Sequence, residues 1–141
     1  MLLIDDVHTY YGESYVLHGV SMQVPSGGLT AVMGRNGVGK TTLIRSITAL
    51  TPPAKGRITF DGAELTKLAP HRIARLGVAL VPQGRRVFGS LTVAEHLEKM
   101  PGRPRHDEEW TVARVLEVFP RLRERWRQKA AHLSGGEQSM L

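Results

Sequence analysis

The sequence predicts an α/β fold in which a β-rich portion with a glycine-rich loop precedes a mostly helical portion. Three observations carry that reading. Val20, Met22 and Val24 alternate with Ser21 and Gln23, the period-two pattern of a half-buried strand. A glycine-rich stretch from Gly34 to Thr41 separates a short apolar run from a helical stretch. Val112, Val115, Leu116 and Phe119 fall at i, i+3, i+4 and i+7, one face of a helix.

The elements follow in order. Leu2-Leu3-Ile4 starts a strand, and Pro25-Ser26-Gly27-Gly28 ends the Val20–Val24 strand in a turn. Leu29 to Met33 is mainly apolar, as a buried central strand is. After the glycines a helix is predicted over 41–50, stopped by Thr51-Pro52-Pro53. Ile58 and Phe60 alternate with Thr59 before an Asp61-Gly62 turn, and Val78 to Val81 is a second apolar run that stops at Pro82. Thr92 to Met100 reads as a helix, with Thr92 as N-cap and Glu95 at the capping-box spacing. Pro101-Gly102-Arg103-Pro104 breaks it. Pro120 interrupts the next helix, and Leu122 and Trp126 begin another short apolar face. No internal repeat or low-complexity segment is visible.

Composition narrows the function classes. The chain has 141 residues, suited to one domain, and is 41% hydrophobic, enough for a packed core. Cysteine is absent, which excludes a disulfide framework and a thiolate metal site. No run approaches the ~18 apolar residues of a membrane span. The N-terminus MLLIDDVHTYY has no basic region of a signal peptide. The expectation is a soluble intracellular protein that meets a membrane only through a partner. The net charge of +6 is spread along the chain without a basic block, so nucleic acid is not an expected partner. His8, His18, His71, His96, His106 and His132 show no metal-ligand spacing and read as surface or core residues. Trp110 and Trp126 read as helix packing rather than a cofactor site.

The strongest signal is Gly34-Arg35-Asn36-Gly37-Val38-Gly39-Lys40-Thr41, which fits G-x-x-x-x-G-K-[ST] between a strand and a helix. Glycines let successive N–H groups turn inward onto phosphate oxygens. The helix opening at Lys40 adds the positive end of its dipole. Lys40 places a charge on the outer phosphates, and Thr41 offers a hydroxyl to Mg²⁺. A phosphate loop alone does not separate kinases, GTPases and transport ATPases.

Leu133-Ser134-Gly135-Gly136-Glu137-Gln138 resembles the LSGGEQ signature of ABC ATPases. Pro82-Gln83 resembles that family's Q-loop, and Tyr11 before Gly12 resembles its adenine-stacking aromatic; a sheet aromatic without a ligand and Tyr10 in the stacking role are the alternatives. Read bottom-up, Ser134 is also an ordinary N-cap and Gln83 a loop residue after a strand-ending proline. The stretches GRNGVGKTTLIRSITAL and RIARLGVALVPQGRRVFGSLTVAEHL are similar to ATPase subunits of bacterial branched-chain amino acid importers, whose close relatives serve urea and other amides.

The resemblance implies an N-terminal antiparallel β portion, a P-loop core sheet and a helical subdomain, incomplete at the C-terminus. Residues 1–83 would be the β and P-loop core, and 84–141 the helical subdomain. It implies ATP and Mg²⁺ as ligands. Gly34, Asn36, Gly37, Gly39, Lys40, Thr41 and Thr42 would hold the phosphates, Tyr11 the adenine, and Thr41 and Gln83 the metal, with Gln83 also serving catalysis. Ser134, Gly135 and Gly136 would reach the ATP of a second, head-to-tail subunit. Transmembrane permease subunits would dock through Arg85, Arg86, Val87 and Phe88, placing the protein on the cytoplasmic face of the membrane. Phe88 packing into the helical subdomain is the other reading of that residue.

The sequence ends at Leu141, inside the helix that the signature opens. The family's Mg²⁺-holding aspartate and water-activating glutamate follow that helix. The expectation is a domain that binds ATP and does not hydrolyse it alone. A soluble ABC ATPase of DNA repair or translation and a non-catalytic nucleotide-binding remnant are the alternatives. The absence of sustained heptads between loop and signature argues against the coiled-coil repair type.

Overall fold

The computed structural model describes residues 1–84, 86–99 and 110–141. They form two compact units, Met1–Leu80 and Val81–Leu141.

In the first unit, β1 (Leu2–Tyr11) and β2 (Ser14–Val24) make an antiparallel hairpin. β3 (Lys55–Phe60) pairs with the other edge of β1, and β4 (Ala63–Glu64) completes a sheet ordered β2-β1-β3-β4. Ile4 and Val7 are both buried although three residues apart, a spacing that would place them on opposite faces of a regular strand. A register shift between them, with Asp6 at φ 45°, returns Val7 to the core side. The expected Asp61-Gly62 turn joins β3 to β4 with both residues at positive φ, as two-residue hairpin loops require.

Ile4, Val7, Leu17 and Ile58 of the sheet pack with Leu43 and Ile47 of α1 (Lys40–Ile47) and with Leu65 and Ile73. α1 stops short of the expected 50. Ala49 turns left-handed at φ 54°, and the Thr48 hydroxyl donates back to the Ile44 carbonyl at 3.1 Å. α2 (Pro70–Arg75), which periodicity does not reveal, starts with proline in its first turn and buries only Ile73.

Two expected strands do not form. Leu29 is 98% exposed, Met33 88% and Val81 93%, and 29–33 and 78–81 are irregular. A strand persists where a neighbour takes up its N–H and C=O groups. Among the described residues no strand lies beside either run.

The second unit comprises α3 (Val93–Lys99), α4 (Val112–Val118), α5 (Pro120–Glu124), a 3₁₀ turn Ala130–His132 and α6 (Gly135–Met140). The capping box before α3 is present. Thr92 Oγ1 accepts from the Glu95 N–H at 3.2 Å, and the Glu95 carboxylate accepts from the Thr92 N–H at 2.8 Å. Met100 and the Pro101–Pro104 break lie outside the described residues, as does His106. Val115, Leu116 and Phe119 pack with Trp126 on a core of Val93, Leu122, Ala130 and Leu133. Pro120 divides this face into two helices because its missing N–H and ring cannot continue α4. Trp110 departs from the helix-packing expectation. Its ring is exposed, and the Arg114 guanidinium lies 5.3 Å from the ring centre. Among the described residues no helix is long and apolar enough to cross a membrane.

Candidate nucleotide-binding site

The loop from Gly34 to Gly39 leads into the N-terminus of α1. Gly37 and Gly39 stand at φ 86° and 96°, conformations a side chain resists. Gly39 also has no room: a Cβ there would come within 2.9 Å of Leu17 Cδ2. The missing side chain lets the end of the loop lie close against β2, immediately before α1 begins at Lys40. The Lys40 ammonium donates to the carbonyls of Gly34 and Arg35, each at 2.7 Å. The loop is thereby bent around a positive charge. Backbone N–H groups at the opening of an eight-residue helix stand beside that charge, an arrangement suited to anionic oxygens. Asn36, Gly37 and Thr41 are exposed, while Thr42 is buried at the base of α1.

The structure separates the two tyrosines. Tyr10 lies face to face on Tyr15, with ring centres 4.5 Å apart and an 8° interplanar angle. Tyr11 instead lies beside the α1 segment. The Thr51 hydroxyl donates to its phenol oxygen at 3.5 Å. That hydrogen bond holds the phenol below its usual range, with smaller contributions from Thr42 and Arg45. Tyr11 and the loop helix thus belong to one neighbourhood, and both lie in the first unit.

Gln83 and the signature lie in the second unit. Gln83 is exposed in an irregular segment. Ser134 is the N-cap of α6: its hydroxyl oxygen accepts from the Glu137 N–H at 3.3 Å, and the Glu137 carboxylate accepts from the Ser134 N–H at 2.8 Å. The N-cap reading of Ser134 is therefore structurally real. Ser134 N–H donation holds the Glu137 carboxyl below the usual carboxylate range. The Ser134 hydroxyl and the Arg125 guanidinium, at 3.4 Å, add to the effect. Gly135 and Gly136 form the first turn of α6.

Of the expected docking residues, Arg85 lies outside the described residues and Arg86 is exposed. Val87 packs on the second core, whereas Phe88 is 57% exposed. Val87 is half-buried against its own unit's core, so any joint apolar anchor would present Phe88 more than Val87. His96 is the residue that sequence reasoning missed here. It is buried and makes two hydrogen bonds, and only its capping-box neighbours Thr92 and Glu95 hinted at an ordered setting. Among the described residues no cluster of three or more His, Asp or Glu is arranged to hold a metal.

Comparison with known proteins places this geometry. The ABC transporter family model matches residues 17–141. The high-affinity branched-chain amino acid transport ATP-binding protein BraG of Pseudomonas aeruginosa is 45% identical over 143 residues, covering 100% of this chain and 61% of that protein. The probable branched-chain amino acid transport ATP-binding protein LivF of Archaeoglobus fulgidus is 38% identical, covering 100% and 60%. The chain therefore spans about three fifths of the curated relatives it matches. A solved ATP-binding subunit of an ABC transporter superposes with a TM-score of 0.84 at 30% identity, covering 99% of this chain and 58% of that one. The ADP conformation of an ATP-binding cassette of an ABC transporter gives 0.73 at 29% identity, covering 99% and 61%. With the family model matched from the second strand through the signature helix, this chain belongs to the ABC transporter family.

Proposed function

We propose that the chain binds MgATP as part of the nucleotide-binding subunit of an ABC importer for branched-chain amino acids or a related small solute. The observation that carries the reading is the loop at α1, where Lys40 is clamped by the Gly34 and Arg35 carbonyls beside the helix N-terminus. On this reading Gly34, Asn36, Gly37, Gly39, Lys40 and Thr42 surround the phosphates. Thr41 offers its hydroxyl to Mg²⁺, with Gln83 as a second metal contact and γ-phosphate sensor. The metal's chemistry is to bridge phosphates and neutralise their charge, and a hydroxyl and an amide oxygen are suitable hard donors for it. Support for Tyr11 as the adenine platform is that the face of Tyr10 is taken by Tyr15. Ser134, Gly135 and Gly136 present a hydroxyl and backbone N–H groups to the ATP of a second subunit placed head to tail. Residues 1–83 act as the nucleotide core and 84–141 as the helical subdomain, with Arg86, Val87 and Phe88 facing a permease at the cytoplasmic side of the membrane. The solute class is supported by the 45% identity to a branched-chain amino acid transport protein.

Lys40→Ala is expected to weaken MgATP binding at least tenfold, or about 1.4 kcal/mol, in a calorimetric titration. Equal affinity of variant and parent would overturn the assignment.

A further inference from the structure

We propose that His96 is the positioning residue of the Phe88 segment and that it works as a neutral imidazole protonated on Nδ1. The inference rests on reading Phe88 as a permease contact.

His96 is only 7% exposed, and both ring nitrogens are engaged. Nδ1 lies 2.8 Å from the Thr92 carbonyl oxygen, which can only accept. Nε2 lies 3.0 Å from the Phe88 backbone nitrogen, whose N–H can only donate. One arrangement satisfies both: the proton sits on Nδ1, and the Nε2 lone pair accepts from Phe88.

The consequence is local and directional. Phe88 is in no helix or strand, so its N–H finds its acceptor in this ring. Its carbonyl accepts from the Leu91 N–H at 2.9 Å, closing a turn over Gly89 and Ser90. The Gly89 carbonyl accepts from Ala131 at 3.2 Å, and the Leu91 carbonyl from Ala130 at 2.8 Å. The segment is thus tied at its far side to the 3₁₀ turn before Ser134, and at its near side by His96. Val87 packs partly on the core while its neighbour Phe88 is exposed, and the bond from the Phe88 N–H to the imidazole holds the backbone at the point where the two diverge. The imidazole also neighbours the Phe88 ring, with centres 6.0 Å apart and the planes tilted by 33°. Without the imidazole the Phe88 N–H must turn to water, and the ring loses its fixed outward direction.

The test reads the ring and the amide directly. In the ¹⁵N-labelled chain at neutral pH, the His96 resonances are expected to show a protonated Nδ1 and a bare Nε2. The Phe88 amide is expected to exchange at least about tenfold more slowly than that of exposed Arg86. His96→Leu should abolish this protection while the amides of Val115 in α4 and of Phe119 at its C-cap keep theirs. His96→Gln, which retains an acceptor, should restore part of it. A proton on Nε2, an unprotected Phe88 amide in the parent, or undiminished protection in His96→Leu would each overturn the proposal. If His96→Leu unfolds, His96→Gln decides, and complete loss of Phe88 protection in that folded variant counts against the proposal. In the subunit assembled with its permease, His96→Leu and Phe88→Ala should both weaken assembly. If Phe88→Ala assembles normally, the docking reading fails, while the tautomer and exchange data still judge His96.

Discussion

At the residue scale, the same few atoms serve structure and the proposed chemistry together. Lys40 holds its own loop through two carbonyls, so its removal loosens the cradle as well as deleting a charge. Ser134 and Glu137 behave alike, since the signature serine is also the cap of α6. Their mutual bonds depress the Glu137 carboxyl. A carboxyl whose folded value is lowered contributes stability above its ordinary value, and that contribution disappears as pH falls through the folded value. The α6 cap is therefore expected to open on acidification below the ordinary glutamate value of 4.5. The Ser134 amide shift should titrate with an apparent pKa below that value, and Glu137→Gln should remove the titration. An apparent pKa at or above the ordinary value would show that the cap does not hold the carboxylate. Lys40 and Ser134 were visible in the sequence because their motifs specify spacing along the chain. His96 was not, because its partners are a carbonyl and an N–H, which no sequence pattern names.

At the element scale, β1 depends on a departure from regularity. The bulge at Asp6 brings Ile4 and Val7 to one face, and β3 must accommodate it. Gly56 does so at φ 89°, where a Cβ would stand 2.2 Å from the Asp6 carbonyl oxygen. Gly56→Ala is expected to cost at least about 2 kcal/mol in urea unfolding, through strained φ and backbone displacement. A variant as stable as the parent would mean that β3 shifts without penalty. Alternation and turn residues exposed β2, β3 and the Asp61-Gly62 hairpin, because these signals are local. The bulge was hidden although Asp5-Asp6 is itself a break in strand character, because aspartate's tolerance of left-handed φ does not say that the strand resumes beyond it; β4 was hidden because two residues cannot show a period. The expected strands at 29–33 and 78–81 failed for another reason. Their apolar runs state a preference for burial, and burial needs a neighbour that hydrophobicity alone does not supply.

At the scale of the whole molecule, those two runs hold the most exposed of the large hydrophobic side chains among the described residues. Leu29, Met33 and Val81 stand almost fully in solvent with unpaired backbone beside them, conditions that favour association between chains. The 141-residue chain is expected to self-associate with rising concentration in sedimentation velocity. Leu29→Lys combined with Met33→Lys should shift it toward the monomer, and an unchanged distribution would exonerate the run. The same run has a thermodynamic role. It leads directly into the phosphate loop, which is therefore anchored by α1 on one side and by an unpaired segment on the other. Nucleotide binding must then restrict the loop itself, at about 1–2 kcal/mol for each backbone residue fixed. A strand laid beside 29–33 would do part of that restriction in advance, raising ATP affinity without touching ATP. Linkage makes the effect mutual: bound nucleotide would strengthen the grip on that strand by the same factor, so pairing with such a strand and occupancy of the loop would form a single cooperative equilibrium.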